Sequence, residues 1–146
     1  MLSIYLFTVL FSSNLFAGDS INIPAKVYEL FHNAFPEVKN ESWYNFHDMY
    51  QAYFKNSDSY SCRIYYSRNG ELLSTLKYYS GNALPLFIRN NVAEKYAGKN
   101  IFSVTEIYAN NKTIYYIMLE DNRKWYKVES NISGEITLDE THFKAS

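Results

Sequence analysis

Cysteine is nearly absent from this sequence: Cys62 stands alone among 146 residues. An intramolecular disulfide is therefore excluded, and the chain must be held together by its core. Charge of one sign is lacking too. Fourteen basic and fifteen acidic residues leave a net charge of −1, with no run of like charge. A nucleic-acid partner needs a basic patch, so nucleic acid is not an expected partner. The three histidines, His32, His47 and His142, are scattered, and with one thiol they match no zinc spacing. Glu29 and His32 sit three apart as in half of a carboxylate-bridged metal site, but the second helix supplies no histidine to complete it. There is no GxSxG, no phosphate-binding glycine loop and no HExxH. Glu41, Asp48, Asp58 and Glu71 could meet only through tertiary structure. No catalytic residue, metal or cofactor is expected, and the chain is not read as an enzyme.

Long apolar runs are also missing, apart from the first residues. Residues 1–17, MLSIYLFTVLFSSNLFA, carry no charged side chain, and Ala17-Gly18 offers small residues for cleavage. This is the layout of a signal peptide. The run Leu2 to Phe11 is shorter than the roughly 20 residues of a spanning helix, so no stable membrane span is expected after its removal. The protein is expected to be periplasmic or secreted.

What the sequence does have is aromatic residues, at 18%, with fifteen tyrosines and ten phenylalanines. Tyrosine suits a pleated, half-buried surface, so β structure is favoured. Prolines number only three, and two of them open helices. After Pro24, the residues Val27, Leu30, Phe31 and Ala34 follow one apolar helical face, and Pro36 ends the helix. Ser42 to Phe46, Met49 to Phe54, Tyr60 to Ser67 and Glu71 to Tyr79 read as strands. Arg68-Asn69-Gly70 is a hairpin turn, because Asn-Gly supplies positive φ.

The plan then repeats. Pro85 lies 61 positions after Pro24 and opens a second helix along Ile88, Val92 and Tyr96, with Gly98 as its C-terminal cap. Strands follow at Ile101 to Ala109, Thr113 to Glu120, Lys124 to Ser130 and Glu135 to Leu138. CRIYYSRNGELL at 62–73 aligns without gaps with YKVESNISGEIT at 126–137, pairing Gly70 with Gly134. Residues 23–82 and 83–143 are thus expected to be two αββββ units. Two copies are too few for a solenoid, so a pseudo-symmetric pair sharing one sheet is expected.

A sheet covered on one side by helices buries alternate residues. Cys62, Ile64 and Tyr66 should then face the helices, with Arg63 and Tyr65 facing away. By the repeat, Tyr126 and Val128 face in and Trp125 and Lys127 face out. Tyr53, Lys77 and Tyr79 are assigned to the same outward face. A surface of Tyr, Trp, Arg and Lys has the composition of a protein-binding patch. The alternative is that these aromatics pack only against each other across strands.

Ile23, Pro24, Val27, Phe31, Phe35 and Pro36 form the string IPxxVxxxFxxxFP, followed by Trp43. This resembles the PepSY-like proteins, small exported proteins of Bacteroidetes-type bacteria grouped with the β-lactamase-inhibitor-like fold. Tyr50, Tyr53 and Phe54, and then Asn69-Gly70-Glu71, look like that family's strand and hairpin. The second unit departs from the pattern, with Tyr96-Ala97-Gly98 in place of Phe-Pro and no strand-entry tryptophan. The resemblance implies an α+β fold in which both units form one curved antiparallel sheet, with both helices on one face. It supplies no catalytic or metal residues. It implies a non-enzymatic exported module that binds or inhibits a protein or peptide through its open sheet face. An envelope-associated structural protein and an unrecognised hydrolase are the alternatives.

Overall fold

The computed structural model describes residues 21–56 and 60–145. The leader expected at 1–17 lies outside the described residues, as does Asp58. Helix α1 spans Ala25–Ala34, followed by β1 (Ser42–Phe46), β2 (Met49–Lys55), β3 (Ser61–Ser67) and β4 (Leu72–Tyr79). A 3-10 turn at Gly81–Ala83 leads into α2 (Leu86–Lys95), then β5 (Asn100–Ala109), β6 (Lys112–Glu120), β7 (Lys124–Asn131) and β8 (Ile136–Phe143). The strands pair in chain order into one eight-stranded antiparallel sheet. Each helix is thus followed by four strands, and the two runs join where β4 pairs with β5 from Ser74↔Ala109 to Tyr79↔Val104.

Both helices begin directly after a proline, whose fixed φ suits the entry, and each is ten residues long. At that length neither would persist without packing. Val27 and Phe31 are fully buried on α1, and Ile88 and Val92 are buried on α2. The apolar face of α1 is narrower than its periodicity suggests, because Leu30 remains 40% exposed beside the β3–β4 turn.

Two core clusters result. Val27 and Phe31 pack on Tyr50, Ala52, Phe54, Cys62, Ile64 and Tyr66, and Trp43 closes that cluster edge-on to Phe31 at 5.3 Å. Ile88 and Val92 pack on Leu84, Val104, Ile117, Leu119 and Val128. The inward registers connect across the sheet, Cys62↔Lys77↔Glu106↔Tyr115, so both helices lie on the same face. Among the described residues the other face has no helix.

The two halves are fastened in the same way. Gly70 (φ +84°) sits against Lys26 and Leu30, and Gly134 (φ +80°) sits against Phe87 and Asn91. These helix residues are themselves separated by 61 positions, as the prolines are. Strand β8 continues to Phe143, well beyond the Leu138 expected from its alternation. Its residues are almost all exposed, so backbone pairing with β7 carries it where the apolar pattern stops.

Candidate binding face

Directly opposed residues of neighbouring strands share a face. Cys62, Ile64 and Tyr66 are buried toward α1, so Arg63 and Tyr65 point to the helix-free side. Tyr53 lies opposite Arg63 and joins them. In the second half Val128 is buried toward α2, which puts Trp125 and Lys127 on the same helix-free side. Five of the seven residues singled out in the sequence therefore share one surface.

Lys77 and Tyr79 do not. Lys77 pairs with Cys62, and Tyr79 with buried Val104, so both point to the helix side. They belong to a polar seam along β4 and β5, between the two core clusters. The Tyr79 hydroxyl donates to Glu106 at 2.7 Å, and the Lys77 ammonium lies 3.5 Å from the same carboxylate. Burial and the Glu106 bond push the Tyr79 hydroxyl well above its usual range. The outward positions of β4 are instead Ser74, Leu76 and Tyr78.

That substitution completes a ladder. The Arg63 guanidinium lies 5.5 Å from the centre of the Tyr53 ring and 5.6 Å from that of Tyr78. Next to it, burial raises the Tyr65 hydroxyl, partly opposed by the Arg63 charge. Gln51, between Tyr44 and Tyr65 in the register, is only 6% exposed. Its position among aromatics was not legible from polarity, although the alternation of β2 contains it.

The second half of the face is more self-contained. Lys127 is held by Asp139 at 2.7 Å and Glu140 at 3.7 Å, and it lies over the Tyr116 ring. Trp125 is half-buried, with Phe102 edge-on at 4.9 Å and the Lys144 ammonium 4.5 Å above it. Lys144 also bonds Glu120 at 2.6 Å. Phe102 reaches this surface because it is the extra residue where the β5–β6 register shifts, a bulge that alternation cannot foresee.

Elsewhere Cys62, His32 and Asp121 are tied into structure. Cys62 is fully buried, and desolvation pushes its thiol up to about 11, although Lys77 partly opposes this. A thiol so placed is inert at neutral pH. His32 is half-buried: it stacks on Tyr28 at 4.1 Å, and its Nε2 lies 3.3 Å from Glu41. Asp121 accepts from the Tyr126 hydroxyl at 2.7 Å and from the Arg123 and Lys124 amides, and this holds its carboxyl down at about 2. Among the described residues no three His, Cys, Asp or Glu side chains gather to hold a metal, and no helix is long and apolar enough to cross a membrane.

No protein-family model matches the chain, and no curated protein does. Solved structures match it over most of its length. A BLIP-like protein from Bacteroides fragilis is similar with a TM-score of 0.65 at 16% identity, covering 85% of this chain and 86% of its own. The fold is BLIP-like. A DUF2874 family protein from Bacteroides ovatus is similar to it with a TM-score of 0.63 at 19% identity, covering 86% of this chain and 89% of its own. A Bacteroides eggerthii protein provisionally described as periplasmic gives a TM-score of 0.62 at 15% identity, covering 84% of this chain and 90% of its own. Identities this low carry the BLIP-like architecture and not an activity. The PepSY part of the resemblance rests on the sequence motif alone.

Proposed function

We propose that this protein is a non-enzymatic, exported binding module that holds a protein or peptide on the helix-free face of its sheet. The observation that carries this reading is the surface joining Tyr53, Arg63, Tyr65 and Tyr78 across three adjacent strands, with no helix above it among the described residues. Rigid aromatics beside an arginine are the side chains that dominate binding energy in protein interfaces. The sequence resemblance and the BLIP-like fold support the same face, and the provisionally periplasmic neighbour supports export.

Affinity capture from envelope extract tests the reading. Wild type is compared with a Tyr65→Ala, Trp125→Ala double variant and with a Glu94→Ala control on the exposed side of α2. A protein recovered by wild type and by the control, but lost from the double variant, is the expected result. Equal recovery by all three would remove the open face as the binding surface. Export is checked separately by the mass of the protein recovered from the periplasm or medium, where a first residue at Gly18 is expected. An intact Met1 there would rule out cleavage.

A further inference from the structure

We infer that Arg63 reads a carboxylate: the open face docks a partner protein that presents an aspartate or glutamate side chain edge-on to this guanidinium. The inference rests on the open face being the binding surface and adds the chemistry of what it binds.

A guanidinium has two flat faces and an edge bearing five N–H donors. The Arg63 guanidinium carbon lies 5.5 Å from the centre of the Tyr53 ring and 5.6 Å from that of Tyr78, within cation–π range of both. Its N–H donors are not engaged. Among the described residues Arg63 makes no hydrogen bond and no ion pair, whereas Lys127 and Lys144 on the same face are each held by carboxylates. A cation already flanked by two aromatic rings loses less conformational freedom when an acceptor arrives in its plane. The in-plane, two-pronged acceptor that matches its donors is a carboxylate.

The charge of the face points the same way. Over β1 to β4 the outward positions include Lys55 and Arg63 and no acidic residue. Over β6 to β8 they include Glu120, Glu129, Asp139 and Glu140 against Lys112 and Lys127, with Lys144 just beyond β8. An approaching partner therefore meets a positive end at Arg63 and a negative excess at the far end, which sets its orientation. The occupant is a protein surface and not a free anion. Arg63 lies on an open strand surface and lines neither the hollow beside Ser80 and Arg89 nor that beside Asn91 and Gly134, both on the helix side. A small anion is retained by enclosure, which Arg63 does not have.

The test uses the full mature chain, labelled with 15N, and three probes. These are a capped peptide with a central glutamate flanked by tyrosine and valine, its glutamine isostere, and acetate alone. The Arg63 side-chain Nε–H and the backbone amides of Tyr53, Tyr65 and Tyr78 are followed by NMR. The glutamate peptide is expected to shift these signals and to bind about tenfold tighter than the glutamine peptide. That preference should vanish in Arg63→Gln and persist only in part in Arg63→Lys, which keeps charge but loses the planar fork. The amide spectrum shows whether each variant is folded, and Arg63→Lys carries the comparison if Arg63→Gln is not. Equal binding of the two peptides on the open face would overturn carboxylate reading and leave the face as a binding surface. Shifts by acetate equal to those by the glutamate peptide would overturn protein docking in favour of a small anion. If no probe perturbs any open-face residue, the inference and the reading beneath it both fall.

Discussion

The side-chain amide of Asn91 donates to the backbone carbonyl of Gly134 at 3.0 Å, pinning α2 to the turn between β7 and β8. Lys26 makes the matching contact in the first half, donating to the Asn69 carbonyl at 3.1 Å beside Gly70. Lys95 adds a second fastening, to the Ile136 carbonyl at 2.6 Å. Each short helix is thus held at two places: by its buried face on the sheet and by polar contacts to the far hairpin.

The two glycines at these joints should respond differently to alanine. Both have positive φ, so each substitution costs about 1–2 kcal/mol of backbone strain. At Gly70 an added Cβ meets nothing closer than 3.4 Å, and the strain is the whole effect. At Gly134 it would lie 2.6 Å from the Asn91 amide nitrogen and 3.2 Å from the Phe87 ring. Asn91 must move and give up its bond, adding about 1 kcal/mol. Urea unfolding should therefore rank Gly134→Ala below Gly70→Ala, and equal midpoints would refute the close approach.

Phe31 is fully buried, with the rings of Phe35 and Trp43 at 5.3 Å and that of Phe54 at 5.8 Å. Phe31→Ala should cost about 3–5 kcal/mol, since the cavity is walled by other rigid rings. Leu30→Ala, one position away on the exposed side, should cost less than about 1 kcal/mol. Equilibrium denaturation of the two variants compares them directly, and a Leu30 cost as large as that of Phe31 would contradict the narrow helix face.

Cys62 and Tyr66 predict an alkaline loss of stability. Burial raises the thiol from 9.0 to about 11 and the phenol from 10.0 to about 12. Above pH 9 the unfolded chain releases these protons while the folded chain keeps them, so stability falls as pH rises toward about 12. Each group contributes a slope of at most about 1.4 kcal/mol per pH unit within its own window. Cys62→Ala should flatten the first part of that decline. The native thiol should also resist a disulfide reagent at pH 8 until denaturant is added, whereas rapid native labelling would show that it is exposed.

Asp121 behaves in the opposite sense. Its carboxyl is held at about 2, below its ordinary 3.8, chiefly by the Tyr126 hydroxyl. The stabilisation is present above pH 3.8 and is lost as pH falls toward 2. Tyr126→Phe removes the main donor, so an NMR titration should find the Asp121 carboxyl moved back up toward 3.8. An unchanged midpoint would assign the shift to the Arg123 and Lys124 amides instead.

Lys77 and Tyr79 mark where sequence reading went astray, and the cure was within reach. Counting outward from Asn69-Gly70 as a two-residue turn pairs Arg68 with Glu71, and hence Cys62 with Lys77 on the inner face. The real turn is wider: Ser67 bonds Glu71 and encloses three residues. Leu73 is then left over where the register shifts opposite Tyr65 and Tyr66, and the two offsets cancel. Tyr78 was missed through the same unfixed parity, and with it the second ring over Arg63. Phe102 and Asp139 offered no comparable signal, because each is displaced at a register shift whose position depends on the partner strand.

Read alone, the sequence determined both helices, eight strands, the repeat, the inward set Cys62, Ile64 and Tyr66, and the outward pair Trp125 and Lys127. Those features depend on short-range physics: a period of 3.6 or of 2, a proline at a helix start, an Asn-Gly at a turn. Only the tertiary structure decided that Arg63 lies within cation–π range of both Tyr53 and Tyr78 while Lys127 is neutralised by Asp139 and Glu140. These relations join residues on different strands, and a one-residue shift in register would send each side chain to the opposite face.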